Sequence, residues 1–148
     1  MEMFLANPAF RVYALCVAVL GVKMLASAVY TGTRRQKVGG FINPEDATTF
    51  GAPGAAADAA EAPEVSHALR IQRNDLENIP LFFAVGLVYI LSGASLTGAI
   101  VFCGLFTVAR VAHTFAYMNH LQPARAICFG IGGVSTLLMI FRIILNIL

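Results

Sequence analysis

Four apolar runs constrain this chain more than any other feature. A helix needs about 20 consecutive apolar residues to cross the hydrocarbon core of a bilayer. The runs are Val12 to Val29, Ile79 to Leu91, Leu96 to Met118 and Ala126 to Leu148. The second has only 13 uninterrupted residues, so its helix must begin earlier, in the polar segment after Pro63, if it is to span. Composition agrees: 12% of the 148 residues are charged and 58% are hydrophobic, whereas a soluble domain carries about 25% charged residues. The same arithmetic excludes disorder. Cys16, Cys103 and Cys128 are odd in number and far apart in mostly apolar stretches, which reads as packed thiols rather than a disulfide frame. With a net charge of +2 and no basic tract beyond Arg34, Arg35 and Lys37, no nucleic-acid partner is expected.

The expectation is therefore an all-α integral-membrane protein. A single domain over residues 1–148 forms a four-transmembrane-helix bundle, with spans at about 10–31, 64–91, 95–119 and 124–147 and one hydrophilic loop at about 32–62. Within that loop, Asn43-Pro44-Glu45-Asp46 predicts a short helix, with Asn as cap, Pro at the first helical position and two acids near the positive end of the dipole. Gly51 to Ala60 predicts a pliable connection. Basic residues flank the spans unequally. Arg34, Arg35, Lys37, Arg70 and Arg73 lie between spans one and two, and His120 and Arg125 between spans three and four, against Arg11 and Arg142 at the other ends. The positive-inside rule then puts both charged connections in the cytoplasm and both termini on the opposite side.

Two polar stripes interrupt this pattern. On the third span, Arg110, His113 and Tyr117 stand at i, i+3 and i+7, so a guanidinium, an imidazole and a phenol share one helical face. An ionisable group inside a membrane helix costs at least about 2.5 kcal/mol. Arg110 therefore either snorkels to the interface or points into the bundle or water. On the second helix Arg70, Arg73, Asn74 and Glu77 form a matching face just before the apolar run, readable as a solvated cap or as a ligand-binding stripe. Asp75 lies off this face. Lys23, inside span one, is expected to pair with Asp75 or Glu77, because an unpaired buried ammonium is too costly.

Arg35, Arg73, Arg110 and Arg125 outnumber the acids near them, Glu77 and Asp46. Such a cationic rim suits a small anion that also carries an ammonium: arginines fork carboxylates, and Glu77 can accept the ammonium. Positive neighbours also favour the thiolate form of a bound thiol. No metal site is expected.

Several blocks in order carry a resemblance over nearly the whole chain: Val22-Lys23-Met24, Thr31-Gly32, Asn43 to Ala47, Arg73-Asn74-Asp75 with Glu77, and Arg110 to Thr114 with Ala116-Tyr117. The chain resembles the MAPEG family (membrane-associated proteins in eicosanoid and glutathione metabolism), most of all its microsomal prostaglandin E synthase and glutathione transferase branch. The resemblance implies a homotrimer of four-helix protomers that binds glutathione at subunit interfaces near the cytoplasmic side, with lipophilic substrate arriving from the bilayer. It implies glutathione contacts at Arg73, Asn74, Glu77, Arg110, His113 and Tyr117, with Arg35 reaching in from a neighbour. Arg125 matches the arginine that holds and activates the thiolate, at a spacing from Tyr117 one residue shorter than in that branch. Asp46 matches an acid implicated in prostaglandin synthesis. Ala126 stands where the synthase branch has a serine, Phe129 where it has a tyrosine, and Gln72 where it has a histidine.

The expected activity is thiolate attack on a lipophilic electrophile (transferase) or on a lipid hydroperoxide (peroxidase), with a prostaglandin E synthase-like isomerisation as a further member of the set. The alternative from another class is a non-catalytic glutathione- or lipid-binding membrane scaffold.

Overall fold

The computed structural model describes residues 6–52, 57 and 62–148. Its elements are α1 (Pro8–Val38), α2 (Pro44–Phe50), α3 (Pro63–Leu91), α4 (Leu96–Met118) and α5 (Ala124–Ile147). All but α2 are long and apolar enough to cross a membrane. As expected, α3 begins at Pro63, in the polar segment ahead of its apolar run. The connection expected at Gly51 to Ala60 falls largely outside the described residues.

The expected loop at 32–62 is shorter than its polarity suggests, because α1 continues to Val38 and carries Arg34, Arg35 and Lys37 on its last turns. Cations there complement the negative end of the helix dipole. The Arg34 guanidinium also lies 4.8 Å from the centre of the Tyr30 ring one turn back. The helix stops at Gly39, whose φ of 64° is a left-handed conformation glycine adopts freely. Gly39 N–H donates to the Gln36 carbonyl at 3.4 Å and Gly40 N–H to the Arg35 carbonyl at 3.2 Å, the paired bonds of a Schellman end.

The chain packs as two units. Met24–Asn74 form one. Its core is Phe41, Ala47, Val65, Ala68 and Ile71, with Ser27 and Thr31 also buried. Thr31 Oγ1 donates to the Ser27 carbonyl at 3.0 Å, which satisfies a hydroxyl that water does not reach. Helix α2 starts with Pro44 at its first position, where the missing N–H costs nothing. Asn43 does not cap it with its side chain. Its Nδ2 donates instead to Asp46 Oδ2 at 3.0 Å, so the carboxylate at the third position captures the amide that was expected to serve the backbone.

Met1–Lys23 and Asp75–Leu148 form the other unit. Leu20, Ile79, Phe82, Cys103, Phe106 and Met139 make its core. Phe82 and Phe106 stack with centroids 4.2 Å apart and planes within 7°. Such a pair contributes about 0.5–1.5 kcal/mol beyond its buried area. Tyr13 donates its hydroxyl to the Phe83 carbonyl at 2.6 Å, and Gly86 leaves room for its ring, which would lie 2.9 Å from an added Cβ. Cys16 and Cys103 are buried free thiols, as their apolar setting predicted, whereas Cys128 is a free thiol that is only half-buried. On α5, Ser135 and Thr136 return their hydroxyls to the Ile131 and Gly132 carbonyls. These back-bonds remove polar atoms from an apolar environment.

The outward surface is as apolar as the inside. In α1 and α5 only 22% of the most apolar stretch is buried within the chain, and Leu15, Val19 and Val22 on α1 or Val134, Leu137 and Phe141 on α5 are exposed. Hydrocarbon must cover such faces. The chain is an integral, multi-pass membrane protein.

Candidate functional site

Two buried charges lie in the larger unit. Asp75 is 1% exposed and Arg110 also 1% exposed. Lys23 pairs with Asp75 Oδ1, as the cost of an unpaired ammonium predicted. Arg110 Nη2 reaches the same oxygen at 3.3 Å. One carboxylate thus serves two cations. Of its two sequence readings, Arg110 takes the interior one and does not snorkel. Gly132 on α5 packs against its aliphatic stem, at a spacing where an added Cβ would lie 3.4 Å from Arg110 Cδ, an ordinary contact. The Arg110 to Asp75 pair was missed by face arithmetic, which sees only one helix at a time.

One and two turns further along α4, His113 and Tyr117 meet edge to face, with ring centroids 5.7 Å apart and planes at 68°. His113 is buried, and its Nδ1 has no hydrogen-bond partner among the described residues. Phe129 of α5 approaches the same imidazole at 6.3 Å. Arg125, on the first turn of α5, lays its guanidinium over the Tyr117 ring at 4.4 Å. A cation on an aromatic face at this distance is held without losing its charge or its fork of donors. The Gln122 amide, oriented with its oxygen toward the guanidinium, accepts from Arg125 Nε at 3.0 Å.

Local backbone geometry sets this cluster. Helix α4 ends with His120 in the left-handed region, at φ 57°. His120 N–H donates to the Tyr117 carbonyl at 3.1 Å and Leu121 N–H to the Ala116 carbonyl at 2.8 Å, again a Schellman pair. The chain therefore turns within residues 119–123, and α5 enters with Arg125 beside the last turn of α4.

The structure brings His113, Tyr117 and Arg125 into direct contact, with Arg110 one turn away and engaged with Asp75. Glu77, in the same unit, is exposed on α3. The remaining candidates belong to the smaller unit. There Arg35 is half-buried on the last turns of α1, Asp46 is half-buried on α2, and Arg73 and Asn74 are exposed and half-buried on α3. Phe129 and Gln122 complete the cluster and had no sequence signal as contacts. Their roles follow from the α4–α5 turn.

A half-buried guanidinium on an aromatic ring, next to a buried imidazole nitrogen that lacks a hydrogen-bond partner among the described residues, can hold a small anion at the edge of an apolar bundle. The profile of the MAPEG family matches residues 13–145. The prostaglandin E synthase of Homo sapiens is 34% identical over 144 residues, covering 97% of this chain and 93% of that protein. The microsomal glutathione S-transferase 1 of Sus scrofa is 38% identical over 144 residues, covering 93% and 90%. That of Homo sapiens is 38% identical over 141 residues, covering 91% and 88%. With four membrane-length helices and matches of this extent, the chain belongs to the MAPEG family.

Proposed function

We propose that this protein is a glutathione-dependent membrane enzyme whose principal reaction is thiolate transfer to a lipophilic electrophile. The observation that carries the reading is the His113, Tyr117 and Arg125 cluster, in a chain similar over nearly its whole length to proteins named glutathione S-transferase and prostaglandin E synthase. Glutathione is the co-substrate. Its carboxylates suit the forked donor of Arg73, its ammonium suits Glu77, and the unpartnered Nδ1 of His113 suits a polar atom of the peptide, while Arg110, buried against Asp75, holds the α4 face that carries His113. Asn74 adds an amide donor and acceptor, and Tyr117 packs against the ligand while supporting Arg125.

Arg125 faces the sulfur. The thiol gives its proton to solvent, and the guanidinium stabilises the thiolate that remains. Sulfur then attacks the electrophilic carbon, the S–C bond forms and the leaving group departs as an anion. Ala126 carries no hydroxyl, so activation falls on Arg125 alone. Against a lipid hydroperoxide the same thiolate attacks the terminal oxygen, the O–O bond breaks and the alkoxide takes a proton from solvent to leave as the alcohol; the glutathione sulfenic acid so formed condenses with a second glutathione to give the disulfide and water. Asp46 would serve an isomerase variant of this chemistry. Partitioning into the bilayer concentrates both substrate types beside the site.

The assembly is a homotrimer in which Arg35 of one copy completes the site of the next. Exposed Arg73 and Glu77 beside exposed Leu76 and Leu81 on α3 support this, since a second copy would cover them together. The basic last turns of α1 and the Arg70 to Arg73 stretch of α3 lie in the cytoplasm, where glutathione is abundant, and the termini on the other side.

Turnover separates this reading from a non-catalytic binder. Detergent-purified protein, given a chromogenic chloronitroarene, is expected to accelerate conjugation with a rate that saturates in glutathione. A rate equal to the protein-free reaction at every glutathione concentration contradicts it.

A further inference from the structure

The larger unit holds a cavity at the end remote from Arg125. It has a volume of about 420 Å³ and is lined by Tyr89, Ser95, Thr97, Phe102, Arg142 and Asn146, among others. Measured along α4, Thr97 and His113 are about 25 Å apart at 1.5 Å per residue, so this space is separate from the proposed glutathione site. Its walls are fixed. Asn146 Nδ2 donates to the Ser92 carbonyl at 3.0 Å and ties the last turn of α5 to the α3–α4 turn. Gly93 supports that turn with φ 95°. At Gly98 the absence of a Cβ lets the Tyr89 hydroxyl approach the α4 backbone.

Arg142 is the cation of this cavity. It is exposed and makes no ion pair or hydrogen bond among the described residues. The acids among the described residues of its unit are Asp75 and Glu77, which belong to the charged end. Arg142 also lies about 7 Å before the end of α5, the depth at which a membrane helix leaves hydrocarbon and meets headgroups. An arginine there reaches the headgroup layer, where lipid phosphates are the anions available to it. The neighbouring groups are hydroxyls and an amide, which complement phosphate oxygens, while Phe102 and Val101 offer apolar contact for an acyl chain.

We propose that this cavity binds the phosphate headgroup of an anionic membrane lipid, with Arg142 as its ion partner and the acyl chains running along the apolar outer face of α4 and α5. The inference stands whether or not the opposite end binds glutathione.

The test uses the full chain in neutral detergent, offered equal amounts of phosphatidylglycerol and phosphatidylcholine, with retained lipid read by native mass spectrometry. Phosphatidylglycerol is expected to be retained with a preference of about ten-fold, the size of one charge-assisted contact. Arg142→Gln is expected to erase that preference. Val101→Trp, which fills the cavity and keeps the guanidinium, is expected to lower retention of the anionic lipid. Equal retention of the two lipids by the unaltered protein overturns the proposal, as does unchanged preference in Arg142→Gln or unchanged retention in Val101→Trp. Inorganic phosphate alone is the control for a free anion, and binding as tight as that of the lipid would overturn the lipid assignment.

Discussion

Arg125→Ala is expected to lower glutathione-dependent turnover by about a hundred-fold, equivalent to about 2.7 kcal/mol of transition-state stabilisation. The size follows from two effects. A free thiol ionises near about 8.5, so only about 3% of it is thiolate at pH 7, and loss of ionisation alone accounts for about thirty-fold. The remainder is the loss of a guanidinium whose direction is set by the Tyr117 ring, 4.4 Å away, and by Gln122. The pH dependence carries the sign. In the unaltered enzyme the rate reaches its plateau at or below neutral pH, whereas in the variant it keeps rising until the pH passes the ordinary thiol value of about 8.5. Arg125→Lys keeps the charge but not the fork, and is expected to fall between the two. Steady-state rates across pH on detergent-purified proteins check all three, with size-exclusion chromatography confirming unchanged assembly. Full activity in the alanine variant would remove Arg125 from the chemistry.

Asp75→Asn has the largest expected effect on stability. The carboxylate is the shared partner of Lys23 and Arg110, and the amide that replaces it has nearly the same shape and no charge. The buried Arg110 guanidinium and the ammonium of half-buried Lys23 then lose the carboxylate they share. Breaking a buried pair by removing one partner costs about 3–5 kcal/mol. The expected result is a clearly lower thermal midpoint in detergent at a fixed heating rate. Lys23→Met in the same chain relieves the repulsion, so the double variant is expected to be more stable than Asp75→Asn alone, with a coupling of about 0.5–3 kcal/mol. An unchanged midpoint in Asp75→Asn would mean that the triad is solvated.

The long helices were legible because lipid demands length and apolarity, and the four runs supply both. The α1 extension through Arg34 and Lys37 was not, since a helix that leaves the hydrocarbon no longer needs apolar residues and hydropathy cannot follow it. Its stop is set by Gly39, whose left-handed conformation ends the helix. The partner of Lys23 could be found by cost alone, because acids near the spans are so few. Arg110 was harder: its place on a shared face with His113 and Tyr117 is a property of α4, whereas its bond to Asp75 depends on how α3 crosses α4, which periodicity does not encode. The capping role expected of Asn43 failed for a local reason, competition from Asp46 for the same amide. The His113, Tyr117 and Arg125 cluster lay between these cases. Two members were legible as a face, and the third arrived through the turn after His120.

The central claim is that these arginines hold glutathione as its thiolate beside the bilayer. Ultraviolet difference spectroscopy tests it directly: glutathione is titrated into detergent-purified protein at neutral pH and the thiolate absorbance is followed. The account predicts a thiolate band that grows and saturates with glutathione and is absent in Arg125→Ala. A spectrum that matches the sum of protein and free glutathione at every concentration would contradict it.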